Sequence, residues 1–265
     1  MSAQIQPQQP VLLREDRDGI ATLTMNRPQR MNLLTGEMLD ALQGSFEEIA
    51  KSRDVRVVIL AAAGRGFCAG HDLKEIRALR EQPKIAELFT KCSAMMMSIQ
   101  GLPQPVIAKV QGAAAAAGAQ LVAQCDLAVA SDAAKFVTSG VTWGFFCSTP
   151  GVSIGRNLHR KHAMEMLLTG EPIPARRALE WGLVNKVVAA EDLDGETLAL
   201  ARTIAAKPPA TTAAGKRTFY LQMDMDPTRA YALAGEVIAS SFAHDEGKQG
   251  MAAFIEKRPP PAKNI

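Results

Sequence analysis

Two stretches of the chain place glycine and alanine where a ligand can come close to the backbone. One is Gly64-Arg65-Gly66-Phe67-Cys68-Ala69-Gly70-His71-Asp72-Leu73, which follows the apolar run Val55 to Leu60. The other runs from Gln104 to Asp126. There Pro105 to Val110 is a short β-rich run closed by Gln111-Gly112, and no side chain from Ala113 to Ala119 is larger than a methyl. The apolar pattern Leu121, Val122, Cys125 then starts a helix. Small residues at a helix N-terminus leave unpaired N–H groups and the positive end of the helix dipole open to an oxyanion or a phosphate. The competing reading is an alanine-rich helix packed tightly on a sheet, because alanine is also the best helix former.

Other residues could do chemistry but lack its context. Gly151-Val152-Ser153-Ile154-Gly155 matches the GxSxG elbow, yet that turn needs a strand immediately before it and Ser148-Thr149-Pro150 stands there instead. Ser153 is therefore expected at a glycine-bearing helix start. His159 and His162 share a basic helix face with no third ligand nearby, so they do not suggest a metal site. Asp126 reads as a structural carboxylate at a strand start, and Met95-Met96-Met97 as core or interface filler. Cys68, Cys92, Cys125 and Cys147 show no CxxC spacing and sit among apolar neighbours, as reduced buried thiols do.

The elements that must position these residues alternate. Val11 to Arg17 and Ile20 to Met25 read as strands around Asp18-Gly19, and from Thr35, a plausible N-cap, the spacing Met38, Leu39, Leu42, Phe46, Ile49 predicts a helix. Val55 to Leu60 predicts a buried parallel strand, and Leu73 to Arg80 a helix. Such alternation argues for α/β units. Beyond residue 156, helical patterns cover Ala163 to Thr169, Ala175 to Trp181, Leu193 to Ala206, Ala210 to Met223 and Pro227 to Phe254, with one strand at Leu183 to Val188.

The 265 residues, 47% hydrophobic and 22% charged, suit an ordinary globular protein with a substantial core. A net charge of +3 and no long basic run argue against nucleic acid as a partner. The opening MSAQIQPQQP has neither a basic nor an apolar targeting region, and no window nears 18 apolar residues, so the expectation is a cytoplasmic, non-membrane protein.

A family resemblance rests on motifs spread along nearly the whole chain: Met25-Asn26-Arg27-Pro28 with Asn32, Gly66 to Glu75, Pro105-Val106-Ile107-Ala108 with Gly112, Cys125-Asp126, Leu168-Thr169-Gly170-Glu171 with Ala178 and Gly182-Leu183-Val184, and Phe254 with Glu256-Lys257-Arg258. Together they resemble the enoyl-CoA hydratase/isomerase, or crotonase, family, and Phe145 to Gly151 resembles one branch of it more narrowly. The resemblance implies an α/β fold, the ClpP/crotonase-like spiral of ββα units. Residues 1–190 would form the acyl-CoA-binding core and 191–265 a C-terminal helical region that assembles homotrimers, often paired into hexamers. It also implies a hydratase or isomerase acting on an acyl-CoA without a separate cofactor, coenzyme A being part of the substrate.

By the same resemblance the backbone N–H groups of His71 and Ala117 hold the thioester oxygen, and acyl-CoA lies against Ala69, Gly70, His71, Asp72, Leu73, Lys74 and Ala117. Lys257 and Arg258 could reach a phosphate of coenzyme A, and Trp143, Phe145 and Phe146 an apolar acyl tail. The family's hydratases use two glutamates whose positions fall here on Gln120 and Gly140, and neither residue transfers a proton near neutral pH. No Asp or Glu stands between Glu87 and Asp126, nor between Asp132 and Glu165. Hydration is therefore expected to be weak or absent, and a non-catalytic acyl-CoA-binding protein is the alternative.

Overall fold

The computed structural model describes residues 9–259; the reading of the N-terminus falls largely on residues 1–8, outside them. A hairpin opens the fold. β1 (Leu12–Arg17) and β2 (Ile20–Met25) pair antiparallel across Asp18-Gly19, both at positive φ as a tight right-twisting hairpin requires. α1 (Gly36–Lys51) begins at Thr35, whose hydroxyl accepts the Met38 N–H at 3.2 Å, and it buries the expected stripe Met38, Leu39, Leu42, Phe46 and Ile49. β3 (Val57–Ala62), α2 (Leu73–Leu79), α3 (Gln82–Gly101) and β4 (Val106–Val110) follow. Next come β5 (Ala114–Ala115), α4 (Ala117–Gln124), β6 (Leu127–Ser131) and β7 (Lys135–Val137). α5 (Ser148–Asn157), α6 (Arg160–Thr169), β8 (Ile173–Pro174), α7 (Ala175–Trp181) and β9 (Lys186–Val188) complete the α/β part.

The strands form a six-stranded sheet in the order β1-β2-β3-β4-β6-β9, parallel from β2 onward, and a three-stranded sheet β5-β7-β8. Both faces of the larger sheet are covered, which is why β3 reads as a continuous apolar run. One face, with Leu23, Val58, Leu60 and Ala108, joins the core made by α1, α3 and α4. The other, with Val57, Ile59, Ile107 and Val129, packs on Leu193 and Ala201 of α8 (Leu193–Ala205). Each fully buried aliphatic side chain contributes ~1.5–3 kcal/mol, so this double covering fixes the strand ends that carry the loops described below.

Beyond α8 lie α9 (Pro209–Gln222), α10 (Pro227–Ala243) and α11 (Asp245–Ile255). The single helical run expected over Pro227 to Phe254 is corrected to two helices. His244 is extended (φ −76°, ψ 155°), and the chain reverses so closely that a Cβ on Gly247 would lie 1.9 Å from the Ser241 carbonyl oxygen. The strand expected from Leu183 begins only at Lys186. α9 and α10 have no buried residue, and Tyr231 (80%) and Phe254 (86%) are largely exposed.

Candidate functional site

The site is built by stitching two strand-end loops together. After β3, the loop through Gly66 is held by two amides. Asn32, fully buried at φ +51°, donates from Nδ2 to the carbonyls of Ala63 (2.9 Å), Gly66 (3.1 Å) and Phe67 (3.1 Å), while its Oδ1 accepts the Arg27 N–H at 2.9 Å. Gln111, just past β4, donates from Nε2 to Ala62, Gly64 and Gly66 at 2.9–3.0 Å. The second loop then bonds to the first: Phe67 N–H and Cys68 N–H donate to the Ala113 carbonyl, and Ala115 N–H to the Cys68 carbonyl. This approach demands the absence of a side chain. A Cβ at Gly118 would lie 2.1 Å from Cys68 O, and one at Gly70 would lie 3.2 Å from the Ala117 nitrogen.

The stitching leaves two donors unused. Ala116, its N–H held by the Val137 carbonyl at 2.8 Å, adopts φ +48° and ψ −115°, a conformation a residue with a Cβ rarely takes. That twist starts α4 with Ala117 as its first residue. Among the described residues neither Ala117 N–H nor His71 N–H has a hydrogen-bond acceptor. The oxyanion-type donor pair expected from the sequence is thus free to bond on both sides. Ala69 stands two residues before His71 in the first loop, its N–H donating to the Met31 carbonyl at 3.0 Å.

The side chains of His71 and of Asp72 next to it are polar and already hydrogen-bonded. His71 donates from Nδ1 to the Leu34 carbonyl at 3.2 Å and packs T-shaped on Phe89 with ring centroids 5.0 Å apart; this leaves Nε2, which is buried and unpartnered, as an acceptor. Burial lowers the imidazole below its ordinary value, and the Leu34 carbonyl and Glu75 oppose that shift. Asp72 is already committed: Oδ1 caps α2 by accepting Lys74 N–H at 2.9 Å, and Oδ2 pairs with Arg30. Beyond Asp72, Lys74 lines a cleft of about 480 Å³ with Arg27 and Arg30, and Leu73 is exposed. A larger cavity of about 650 Å³ lies between α9, α10 and α11 and shares no lining residue with this one.

The model of the family described as enoyl-CoA hydratase/isomerase matches residues 15–264. The chain belongs to that family. A crystal structure of enoyl-CoA hydratase from Mycobacterium smegmatis superposes with a TM-score of 0.94 at 50% identity, covering 96% of this chain and 99% of that one. The crystal structure of human enoyl coenzyme A hydratase domain-containing protein 3 does so at 0.92 and 44%, covering 96% and 100%. The mouse protein named enoyl-CoA hydratase domain-containing protein 3, mitochondrial, is 46% identical over 92% of this chain and 81% of its own length. The spiral fold and the narrower likeness carried by Phe145 to Gly151 are both found.

For an enoyl-CoA hydratase/isomerase family chain, the positions where glutamates were expected differ sharply from each other. Gln120 lies three residues into α4 from Ala117, on the same face; it is 4% exposed, its Oε1 is buried, and its side chain makes no hydrogen bond among the described residues. It is not satisfied by neighbouring backbone, the ordinary fate of a helix glutamine. Gly140 is buried and leaves no space: a Cβ there would lie 2.6 Å from Phe145 O and 2.8 Å from Cys147 Sγ.

Several sequence candidates fall elsewhere. Ser153 is mid-way along α5, with its hydroxyl donating to Gln124 Oε1 at 2.6 Å and no imidazole bonded to it. His162 stacks on Trp181 at 4.6 Å, with Arg177 over the same indole at 5.4 Å, and no metal-competent cluster occurs among the described residues. The four cysteines are free and buried, and desolvation raises Cys68 and Cys92 to about 12. Met95 and Met96 are buried, whereas Met97 is exposed. Phe145 and Phe146 are about half exposed and Trp143 is 72% exposed. Asp126 is structural, accepting from Val106 N–H, Lys216 Nζ and Tyr220 OH. Sequence reasoning gave no role to Asn32, Gln111, Lys216 or Tyr220. Asn32 belonged to a quoted motif and Gln111 to a turn signal, but amides that serve backbone carbonyls leave no periodic signal.

Proposed function

We propose that the chain binds acyl-CoA and polarises the thioester carbonyl between His71 N–H and Ala117 N–H, with hydratase or isomerase turnover that is slow for want of the family's carboxylates. The observation that carries this is the pair of acceptor-less N–H groups held beside each other by the Cys68–Ala113–Ala115 hydrogen bonds. Donors fixed in a water-poor site stabilise an enolate-like oxygen by ~3–4 kcal/mol each, by analogy with measured oxyanion holes. Ala69, Gly70, Leu73 and Lys74 would lie along the ligand, and Asp72 would position Arg30.

A second reading, an acyl-CoA-binding protein with little turnover, is favoured by Gln120 and by the filled space at Gly140. General acid–base groups contribute ~10²–10⁴-fold each, so their loss leaves binding without fast chemistry. The test follows crotonyl-CoA absorbance for wild type and Gln120→Glu, with ester binding measured by calorimetry. Binding with slow hydration that rises in Gln120→Glu supports the first reading. Binding with no turnover in either protein supports the second, and no binding sinks both.

The apolar residues exposed on α9 to α11 support residues 191–265 as an oligomerisation region making trimers or hexamers, with Lys257 and Arg258 near its end. No helix of the described residues is long and apolar enough to cross a membrane. The cytoplasmic reading rests on the opening residues, the lack of long apolar windows and the reduced thiols, while the mitochondrial label belongs to the mouse relative; cell fractionation decides between the two compartments.

A further inference from the structure

Ser153 is no nucleophile, yet its hydroxyl is committed deep inside the molecule. It is 4% exposed and donates to Gln124 Oε1 at 2.6 Å, and Gln124, the last residue of α4, is 5% exposed. One turn further along α5, Asn157 donates from Nδ2 to the Ala123 and Ser153 carbonyls, both at 2.8 Å. Two adjacent residues at the C-terminal end of α4 are thus bolted to α5 by directed hydrogen bonds. One of those bonds joins two buried side chains, whereas most side-chain hydrogen bonds go to backbone or water.

The N-terminal end of α4 has no such side-chain grip. Ala116 supplies no side-chain cap, and Ala117, Gly118 and Ala119 have no side chain long enough to key the helix against its neighbours. Leu121 and Val122 are buried in the core, but apolar contact is non-directional. The N–H groups of a helix lie along its axis, so a slide released at the Gln124 end carries the Ala117 N–H with it by the same distance. The loop that would take up the slide contains Ala116, already at φ +48° and outside the ordinary range of alanine.

We propose that Ser153 and Gln124 are positioning residues: their hydrogen bond sets the register of α4 against α5 and so holds the Ala117 N–H at bonding distance from a thioester oxygen. This rests on the thioester-binding reading above. Register and stability are separable here. A buried hydroxyl–amide pair can be exchanged for two apolar side chains of similar shape at little cost in stability, whereas removing one partner strands the other. The apolar pair keeps the packing and loses the direction.

The experiment is isotope-edited infrared spectroscopy of butyryl-CoA labelled at its carbonyl carbon, an ester with no double bond to hydrate, with thermal melts alongside. Each hydrogen bond to the thioester oxygen lowers the carbonyl stretch, and the shift read at saturation does not depend on affinity. Wild type should move the band down on binding. Ser153→Ala strands Gln124 Oε1 and should lower Tm, while Ser153→Ala combined with Gln124→Met should regain most of that loss. Both variants are expected to lose roughly half of the wild-type downshift, the share of one donor in two. A double variant with the full downshift overturns the inference, because the pair then serves packing alone. A double variant that does not fold overturns it too, since the pair is then core structure that no apolar exchange replaces. In both cases the thioester reading stands. A wild type that binds no ester, or binds it without a downshift, sinks that reading and this inference together.

Discussion

Asn32 bears more of the site than its single side chain suggests. It answers three loop carbonyls, of which Gly66 alone shares a second donor in Gln111, and it does so from a left-handed backbone that asparagine tolerates better than most residues. Asn32→Ala should cost ~3 kcal/mol, one unsatisfied buried group's worth or more. At this chain length that is a fall of about 6–12 °C in Tm by thermal melt, and acyl-CoA binding should fall with it. Ala116 points the other way. Its φ of +48° is strained for alanine by ~1–3 kcal/mol, partly offset by the extra freedom glycine has when unfolded, so Ala116→Gly should raise Tm by about 2–4 °C. No rise would mean that the surrounding bonds, not Ala116 itself, absorb the twist. His71 gives a pH signature. Burial holds its folded pKa below 6.5, with the Leu34 carbonyl and Glu75 opposing, so the unfolded chain takes the proton first. The stability contributed by neutral His71 is complete above 6.5 and drains as pH falls through the window beneath it. Urea unfolding should therefore show wild type losing its margin over His71→Asn as pH drops from about 7 to about 5. A margin independent of pH would remove the imidazole from the account.

At the scale of elements, the legible parts were those where burial follows a period. α1 was readable from its cap and its five-residue stripe, and β3 from a run buried on both faces. The donor loops were readable because close backbone approach needs glycine and alanine, a constraint written in residue type. The small sheet was not: β5 is two alanines and β8 two residues, too short to show alternation, and they pair only because the stitched loops bring them together. The break at His244 was equally silent, since both helices it separates carry helical spacing. Nor did any pattern announce how α9 is held. Lys216, with 6% of its side chain exposed, leaves α9 to meet Asp126 at 2.7 Å and the carbonyls of Ile99 and Gln104, while Tyr220 OH donates to the same carboxylate at 2.8 Å. Burial lowers the Lys216 pKa and Asp126 opposes that shift. Asp126→Asn should cost ~3–5 kcal/mol by stranding a buried ammonium, and Asp126→Leu combined with Lys216→Met should recover much of it. Equilibrium urea unfolding checks both; a double variant no better than the single would place the anchor in Tyr220 and Val106 instead.

At the scale of the whole molecule, the C-terminal helices show too much apolar surface to be finished as described. Phe219, Tyr231, Ile238, Phe242, Phe254 and Ile255 are more than half exposed on α9, α10 and α11. Scattered single apolar residues are ordinary, but a series along three consecutive helices supports the oligomerisation surface proposed above. Light scattering coupled to size exclusion should give a trimer or hexamer, and Tyr231→Glu with Phe254→Glu should lower the mass. A monomeric wild type would remove the oligomerisation role of residues 191–265.

Gly140 also constrains the engineering of this chain. With Phe145 O and Cys147 Sγ inside 3 Å of where a Cβ would stand, every other amino acid at 140 meets the same obstruction before its chemistry matters. A glutamate there needs the 145–147 turn to shift to make room for its Cβ. A designer wanting both carboxylates must open the 145–147 turn before choosing the side chain at 140.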